Sequence, residues 1–409
     1  MVCGKASDAV ASPRIDLPVF SRYSPRTQPM RILTALTYYR PHTSGLTIYA
    51  ERLAKALVDR GHQVTVLTSG YEPDLPREEM VDGVRVVRVP VWRRLGKGVL
   101  MPSFGWISTR ECLRHDVLQL HLPQFDAAGL ALRGRLLGKP TVITYHCDLQ
   151  LPPGLANRVV SAVVRGANEI ATAASHRIAV YTEDFAGSSP LLTRHRGKWD
   201  VIRPPVVLPK DTATTSIDPV GGPGPVVGMA ARLATEKGVE VLVRALDRLR
   251  RSHPTARVLF AGQHEDVWGE EAYAQRLAPD LDRLQSEGAW HFVGVLPPEL
   301  MRAFYRALDV LVVPSLNRTE SFGLVQIEAM MEGTPSIASD LPGVRQPVHM
   351  TGFGDVVPIG NDEALAAAIE GMVVDPPRPT EQTRAALEEF DPARCAERYE
   401  KAFEALLRR

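Results

Sequence analysis

Short apolar runs recur along the chain, each followed by a stretch whose apolar positions return every three or four residues. The alternation predicts strands joined by helices, the signature of a parallel α/β architecture. The first strand is read at Arg31-Ile32-Leu33-Thr34-Ala35-Leu36, and the loop Tyr39 to Gly45 leads into a helix from Leu46 to Arg60. That helix is expected to turn Ile48, Leu53, Leu57 and Val58 to a core and to stop at Gly61. Further strands are read at Val64–Thr68, Val84–Val87, Asp116–Leu120, Thr141–Thr144 and Arg177–Val180. A second series starts at Val226–Met229 and continues at Arg257–Phe260, Trp290–Val293, Val310–Val313 and Ser336–Ala338.

Between the two series, Arg203 to Pro225 is rich in Pro, Gly and Thr and reads as an interdomain linker. The expected organisation is a leader over 1–29, an α/β domain over 30–210 and a second over 211–391. A last helix, Pro392 to Leu407, places Tyr399, Phe403 and Leu406 on one face. Open α/β sheets bind ligands beyond the C-terminal ends of their strands, so the cleft between the two halves is the expected site.

Composition narrows the options. The chain has 409 residues, 44% of them hydrophobic, enough for two cores, and a net charge of +1 that attracts no nucleic acid. Cys3, Cys112, Cys147 and Cys395 are scattered without metal-ligand spacing and read as reduced thiols of a cytoplasmic protein. No apolar run approaches a membrane span. The short basic run Trp92 to Lys97 reads as a solvated loop, and peripheral contact with the inner membrane face stays open.

The densest chemistry lies in Thr319 to Met330, where Glu320 and Glu328 flank seven intervening residues. Ser321 reads as an N-cap, Phe322 to Glu332 as a helix, and Gly333 with Pro335 as its stop. Amides of Phe322, Gly323 and Leu324 at a helix mouth can hold an anion, with one carboxylate for a sugar and one for ribose hydroxyls. Two solvated glutamates on an ordinary helix is the competing reading. Arg232 and Lys237 lie in the loop after the first strand of the second half, where two cations can converge on a diphosphate. His146 ends a strand of the first half, and His121 ends its neighbour as a wall residue. Ser44-Gly45 permits close backbone approach in the first loop. The second strand ends in Thr68-Ser69-Gly70 with no acidic ribose partner, which argues against an ordinary dinucleotide site. Asp280-Leu281-Asp282 has the form of a metal-binding pair but falls in a predicted helix, where residues two apart diverge.

The motifs Arg232…Lys237-Gly238, Gly294-Val295, Pro314-Ser315 and Glu320-Ser321-Phe322-Gly323…Glu328-Ala329 stand in one order. In that order the chain resembles the retaining nucleotide-sugar glycosyltransferases of family four, which have the GT-B fold. Gly45…Glu51-Arg52-Leu53…Gly61-His62-Gln63-Val64 and Thr144-Tyr145-His146 resemble the family in the first half. The resemblance implies two Rossmann-like domains facing across a cleft, and a last helix that crosses back onto the first domain. It implies that Arg232 and Lys237 bind the donor diphosphate, and that Glu320 with Ser321, Phe322, Gly323 and Leu324 holds sugar and phosphate. Glu328 would hold the ribose, Val295 would lie by the base, and His146 would approach the sugar from the other domain. Such enzymes need no metal and no cofactor beyond the nucleoside-diphosphate sugar. Where the family often has paired glycines, Ser44 precedes Gly45, and that loop lacks the lysine of glycogen-synthase-like relatives. Relatives often carry a second glycine after Gly262; here Gln263-His264-Glu265 follows instead.

The expected activity is transfer of a UDP- or GDP-linked sugar to a saccharide, lipid-linked or small-molecule hydroxyl, with retention. A phosphorylase or disaccharide synthase of similar fold, and a noncatalytic nucleotide-sugar binder, are the alternatives.

Overall fold

The computed structural model describes residues 28–95, 98–150, 154–209, 217 and 221–408. The leader therefore lies outside the described residues except for residues 28 and 29, as does the central part of the linker. The strands are β1 Arg31–Ala35, β2 Gln63–Gly70, β3 Glu78–Val81, β4 Val84–Pro90, β5 Arg93–Leu95, β6 Gly98–Leu100, β7 Val117–Leu122, β8 Thr141–Tyr145, β9 Arg177–Val180 and β10 Trp199–Val201 in the first half. The second half contributes β11 Val226–Ala230, β12 Arg257–Ala261, β13 Trp290–Gly294, β14 Val310–Val313, β15 Ser336–Ser339 and β16 Gly354–Val357.

The first sheet runs β10-β9-β8-β7-β1-β2-β4-β3, and the second runs β13-β12-β11-β14-β15-β16. All pairings in the two sheets are parallel except β3 on β4. Strand order reverses at β1/β7 and at β11/β14, which makes both halves doubly wound, Rossmann-like domains. Helices cover both faces of such sheets, so β7, β8 and β14 are buried at every residue; β14 is a continuous apolar run, while β7 also buries Gln119 and His121 and β8 buries Thr141 and Thr144.

The first helix spans Gly45–Asp59, with the Ser44 hydroxyl accepting from the Thr47 amide at 3.2 Å. Leu53 and Leu57 are buried, but Ile48 and Val58 are only half-buried. The helix packs instead through Tyr49, Ala50, Leu53, Ala54 and Leu57, because a second element covers it: the last helix, Pro392–Leu407. Tyr49 Oη and Tyr399 Oη lie 2.9 Å apart, and Tyr399 Oη is 2.7 Å from Thr144 Oγ1 of β8. Buried Glu400 pairs with Arg60 and lies 3.1 Å from His62 Nε2. One apolar cluster accordingly extends from Ile32 and Leu53 through Ile202 and Val206 to Phe322, Phe390 and Phe403.

The domains touch directly at their facing edges. Asp184 of the short helix Glu183–Ser188 accepts from Arg345 Nη2 at 2.6 Å and Nε at 2.9 Å, from the Gly343 amide at 2.9 Å and from Gln346 at 3.2 Å. Arg318 donates to the Ser188 carbonyl at 2.8 Å.

Candidate active site

β11 and β14 are neighbours at the point of strand reversal, so the loops leaving them converge although they are far apart in sequence. After β11 the chain passes Arg232 and makes a single turn over Thr235–Lys237. At Gly238 φ is +69°, and a Cβ there would sit 2.1 Å from the Pro314 carbonyl oxygen, so only glycine lets this loop lie against the one after β14. The Leu316 amide donates to the Glu236 carbonyl at 2.9 Å and locks the two loops together. This brings Lys237 Nζ to 2.5 Å from Glu320 Oε2. The other Glu320 oxygen accepts from the Gly323 amide at 3.1 Å. Arg232 reaches Glu236 at 3.2 Å and is half exposed. The three groups thus share one loop cluster at the cleft edge.

The helix after Glu320 starts later than the sequence reading placed it. It spans Leu324–Met331, with Gly323 at φ +76° as the capping residue. Ser321 is not its cap: Ser321 is buried, and its hydroxyl donates across the domain interface to the His146 carbonyl oxygen. Tertiary contact outcompetes local capping here. Phe322 is buried 5.9 Å from the Tyr181 ring and 5.5 Å from the Phe390 ring. Gln326 holds the turn by donating to the carbonyls of Phe322 at 3.0 Å and Val344 at 2.8 Å.

Glu328 is buried and doubly held. Arg52 of the first helix donates to it at 2.8 Å from the opposite domain, and the Tyr305 hydroxyl donates at 2.7 Å. Neither partner was given a role from sequence. Arg52 stood only within the first-half motif Glu51-Arg52-Leu53, and it lies 276 residues from Glu328.

On the facing domain, the His146 ring lies within the core rather than in the open cleft. Its Nε2 is 2.7 Å from His121 Nδ1, and its Nδ1 meets the Tyr181 hydroxyl. Burial holds both imidazoles neutral, with His121 pushed down to about 3 and His146 well below the usual range. What His146 presents to the second domain is its backbone carbonyl. Cys147 follows it, half-buried; burial and the nearby Glu320 charge push its thiol up to about 12, while Lys237 acts the other way.

Gly45 is exposed as the first helical residue, with open space around its Cα. Beside it in the first loop, Tyr38 stacks on His42 at 4.9 Å and meets Tyr71 edge-on at 5.4 Å. Burial and then the positive charge of Arg232 lower the His42 pKa. Val295 is exposed just past β13, at the far edge of the second sheet. Asp280 and Asp282 flank buried Leu281 in the helix Glu271–Ser286 and diverge. Among the described residues no cluster of three His, Cys, Asp or Glu could hold a metal ion.

The glycosyl transferases group 1 pattern matches residues 218–389, and a glycosyl transferase 4-like domain matches residues 44–204. Glycogen synthase of Mycobacterium tuberculosis is 30% identical over 395 residues, covering 87% of this chain and 89% of that one. The chain belongs to the family-four (group 1) glycosyltransferases. Within this family it is also similar to the 2-deoxystreptamine N-acetyl-D-glucosaminyltransferase of Streptomyces fradiae, at 29% identity over 88% of this chain and 90% of the other. The fold matches sucrose-phosphate synthase from Thermosynechococcus elongatus, with a TM-score of 0.74, 21% identity and coverage of 92% and 99%. Anabaena HepE in complex with UDP-glucose matches with a TM-score of 0.70 at 20% identity, covering 92% of this chain and 100% of that chain. These glycosyltransferases share the GT-B architecture, and the present chain is a hexosyltransferase with that fold.

Proposed function

We propose that the chain moves a hexose from a UDP- or GDP-linked donor to an acceptor hydroxyl, retains the anomeric configuration and requires no metal ion. The observation that carries this reading is the Lys237–Glu320–Gly323 cluster at the strand-reversal point of the second sheet. An ammonium, a guanidinium from Arg232 and a backbone amide there offer positive potential to a diphosphate leaving group, the electrostatic task a metal otherwise performs. Glu320 would exchange its contact with Lys237 for the donor sugar. Glu328, oriented by Arg52 and Tyr305, keeps lone pairs for ribose hydroxyls. Ser321, Phe322 and Leu324 would frame the sugar and phosphate, and Val295 the base.

The acceptor oxygen would attack the anomeric carbon on the face from which the diphosphate departs. The new carbon–oxygen bond forms as the bond to phosphate breaks, and the departing phosphate takes the hydroxyl proton. Tyr38, His42 and Tyr71 beside Gly45 would form the acceptor wall, with the His146 carbonyl at the junction. Saccharide, lipid-linked and small-molecule acceptors all suit such a wall. Curated relatives range from a 2-deoxystreptamine N-acetyl-D-glucosaminyltransferase to a phosphatidyl-myo-inositol mannosyltransferase.

A thermal-shift series with UDP, GDP and their sugar conjugates tests the donor, because a ligand that binds the native state raises apparent stability. Lys237→Ala is expected to lower turnover by about 10²–10³-fold, the usual cost of one lost electrostatic donor, with the fold intact. Near-normal turnover in the folded variant would remove Lys237 from the mechanism. NMR of the product anomer checks retention, and turnover after chelation checks metal independence.

A further inference from the structure

The helix Leu155–Ala174, which follows β8, exposes an apolar stripe over its N-terminal half. Its outward face carries Leu155 (80% exposed), Val159 (58%), Val160 (48%), Val163 (49%) and Ile170 (48%). The covered face carries Asn157, Ser161 and Val164 in this half, and buried Ala167, Asn168, Ala171 and Ala174 further on. An ordinary surface helix keeps its large apolar side chains on the covered face. The helix also outruns its sheet. Asn168 Oδ1 accepts from the amide of Gln124, two residues past the end of β7, at 3.3 Å, so Asn168 is level with the strand ends. At about 1.5 Å per residue, the segment before it projects roughly 20 Å beyond them, on the cleft side. The charged residues between Leu155 and Asn168 are Arg158 and Arg165; both are exposed, and neither has a carboxylate partner among the described residues.

We propose that this projecting helix docks the chain on an anionic lipid surface, with its valines in the acyl boundary and Arg158 and Arg165 on headgroup phosphates. Before Asn168 the stripe has an arginine margin and no carboxylate, and Glu169 beyond it already meets Arg194 and His195, so the projecting part is complementary to anionic lipid. It is poorly complementary to itself, because a two-fold contact would bring arginines together with no carboxylate to pair them. The helix rises beside the cleft mouth, so docking there turns the glycosyltransferase site toward the bilayer. In this respect the inference rests on the activity proposed above.

The intact chain is sedimented with vesicles of phosphatidylcholine alone or mixed with phosphatidylglycerol, at low and high salt. Binding to the mixed vesicles, weakened by salt, is expected. Val159→Glu/Val163→Glu and Arg158→Glu/Arg165→Glu should each cut the bound fraction at least tenfold while the nucleotide-induced thermal shift persists, which verifies their fold. Failure of the unaltered chain to bind either vesicle overturns the proposal, and so does undiminished binding of both variants. A concentration-dependent dimer, lost in Val159→Glu/Val163→Glu and seen without vesicle binding, assigns the face to a second copy and also overturns it. Vesicle binding without any nucleotide-induced shift would keep the lipid face and defeat the donor reading; a shift without vesicle binding would do the opposite.

Discussion

Lys237 and Glu320 illustrate how one pair can carry both local order and readiness to bind. Their contact is only partly buried, with side-chain exposures of 22% and 18%, so it contributes modest stability. Exchanging it for a phosphate and a sugar hydroxyl therefore costs little. The opposite case is the buried pair His121–His146. Neither imidazole can accept a proton without losing solvation, so both stay neutral in the folded chain. Above about pH 6.5 both are neutral in the folded and unfolded chains alike and have no effect on stability. Below it the unfolded chain binds protons that the folded chain refuses, so stability falls as pH drops from about 6.5 toward 3. The expected slope is up to about 1.4 kcal/mol per pH unit for each histidine. Urea midpoints across this range should show the decline, and His121→Gln should flatten it. An unchanged slope in that variant would show that His121 does not contribute.

At the level of elements, glycines separate close approach from mere permissiveness. Gly343 has φ +85°, and a Cβ there would lie 2.1 Å from the Ser321 carbonyl oxygen. Gly343→Ala should cost roughly 1–3 kcal/mol through backbone strain and clash, and should weaken donor binding by displacing the Ser321 loop. Calorimetry with nucleotide titration measures both. Gly45, read as allowing close approach of a phosphate or sugar, starts a helix with open space beside it. Gly45→Ala should change stability by less than about 0.5 kcal/mol, because neither φ nor space demands glycine there; any loss of turnover would then report on substrate contact alone. The Leu324–Met331 helix carries a further lesson. A Ser followed by an apolar run is a fair N-cap signal, but the residue that turns the chain is Gly323, because Ser321 has its partner in the other domain.

Across the whole molecule, the two domains are joined by a shared apolar cluster and by polar contacts at their facing edges. Asp184 gathers donors from Arg345, Gly343 and Gln346, and Arg52 clasps Glu328. Asp184→Ala should open the cleft without unfolding either sheet. Small-angle scattering should show a larger radius of gyration, and turnover should fall while nucleotide binding persists. An unchanged scattering curve would place closure elsewhere.

The sequence by itself determined the two α/β halves and most of their strands, because a strand buried on both faces is dominated by apolar residues. It also marked Arg232, Lys237, Glu320 and Glu328 as a set, since strand-to-helix loops at the C-terminal sheet edge are where charge collects. Tertiary structure alone decided which groups meet across the cleft. Arg52 on Glu328, Ser321 on the His146 carbonyl and His121 on His146 all join residues from separate strands or domains. Such pairings follow from strand order and domain closure, which local periodicity does not encode.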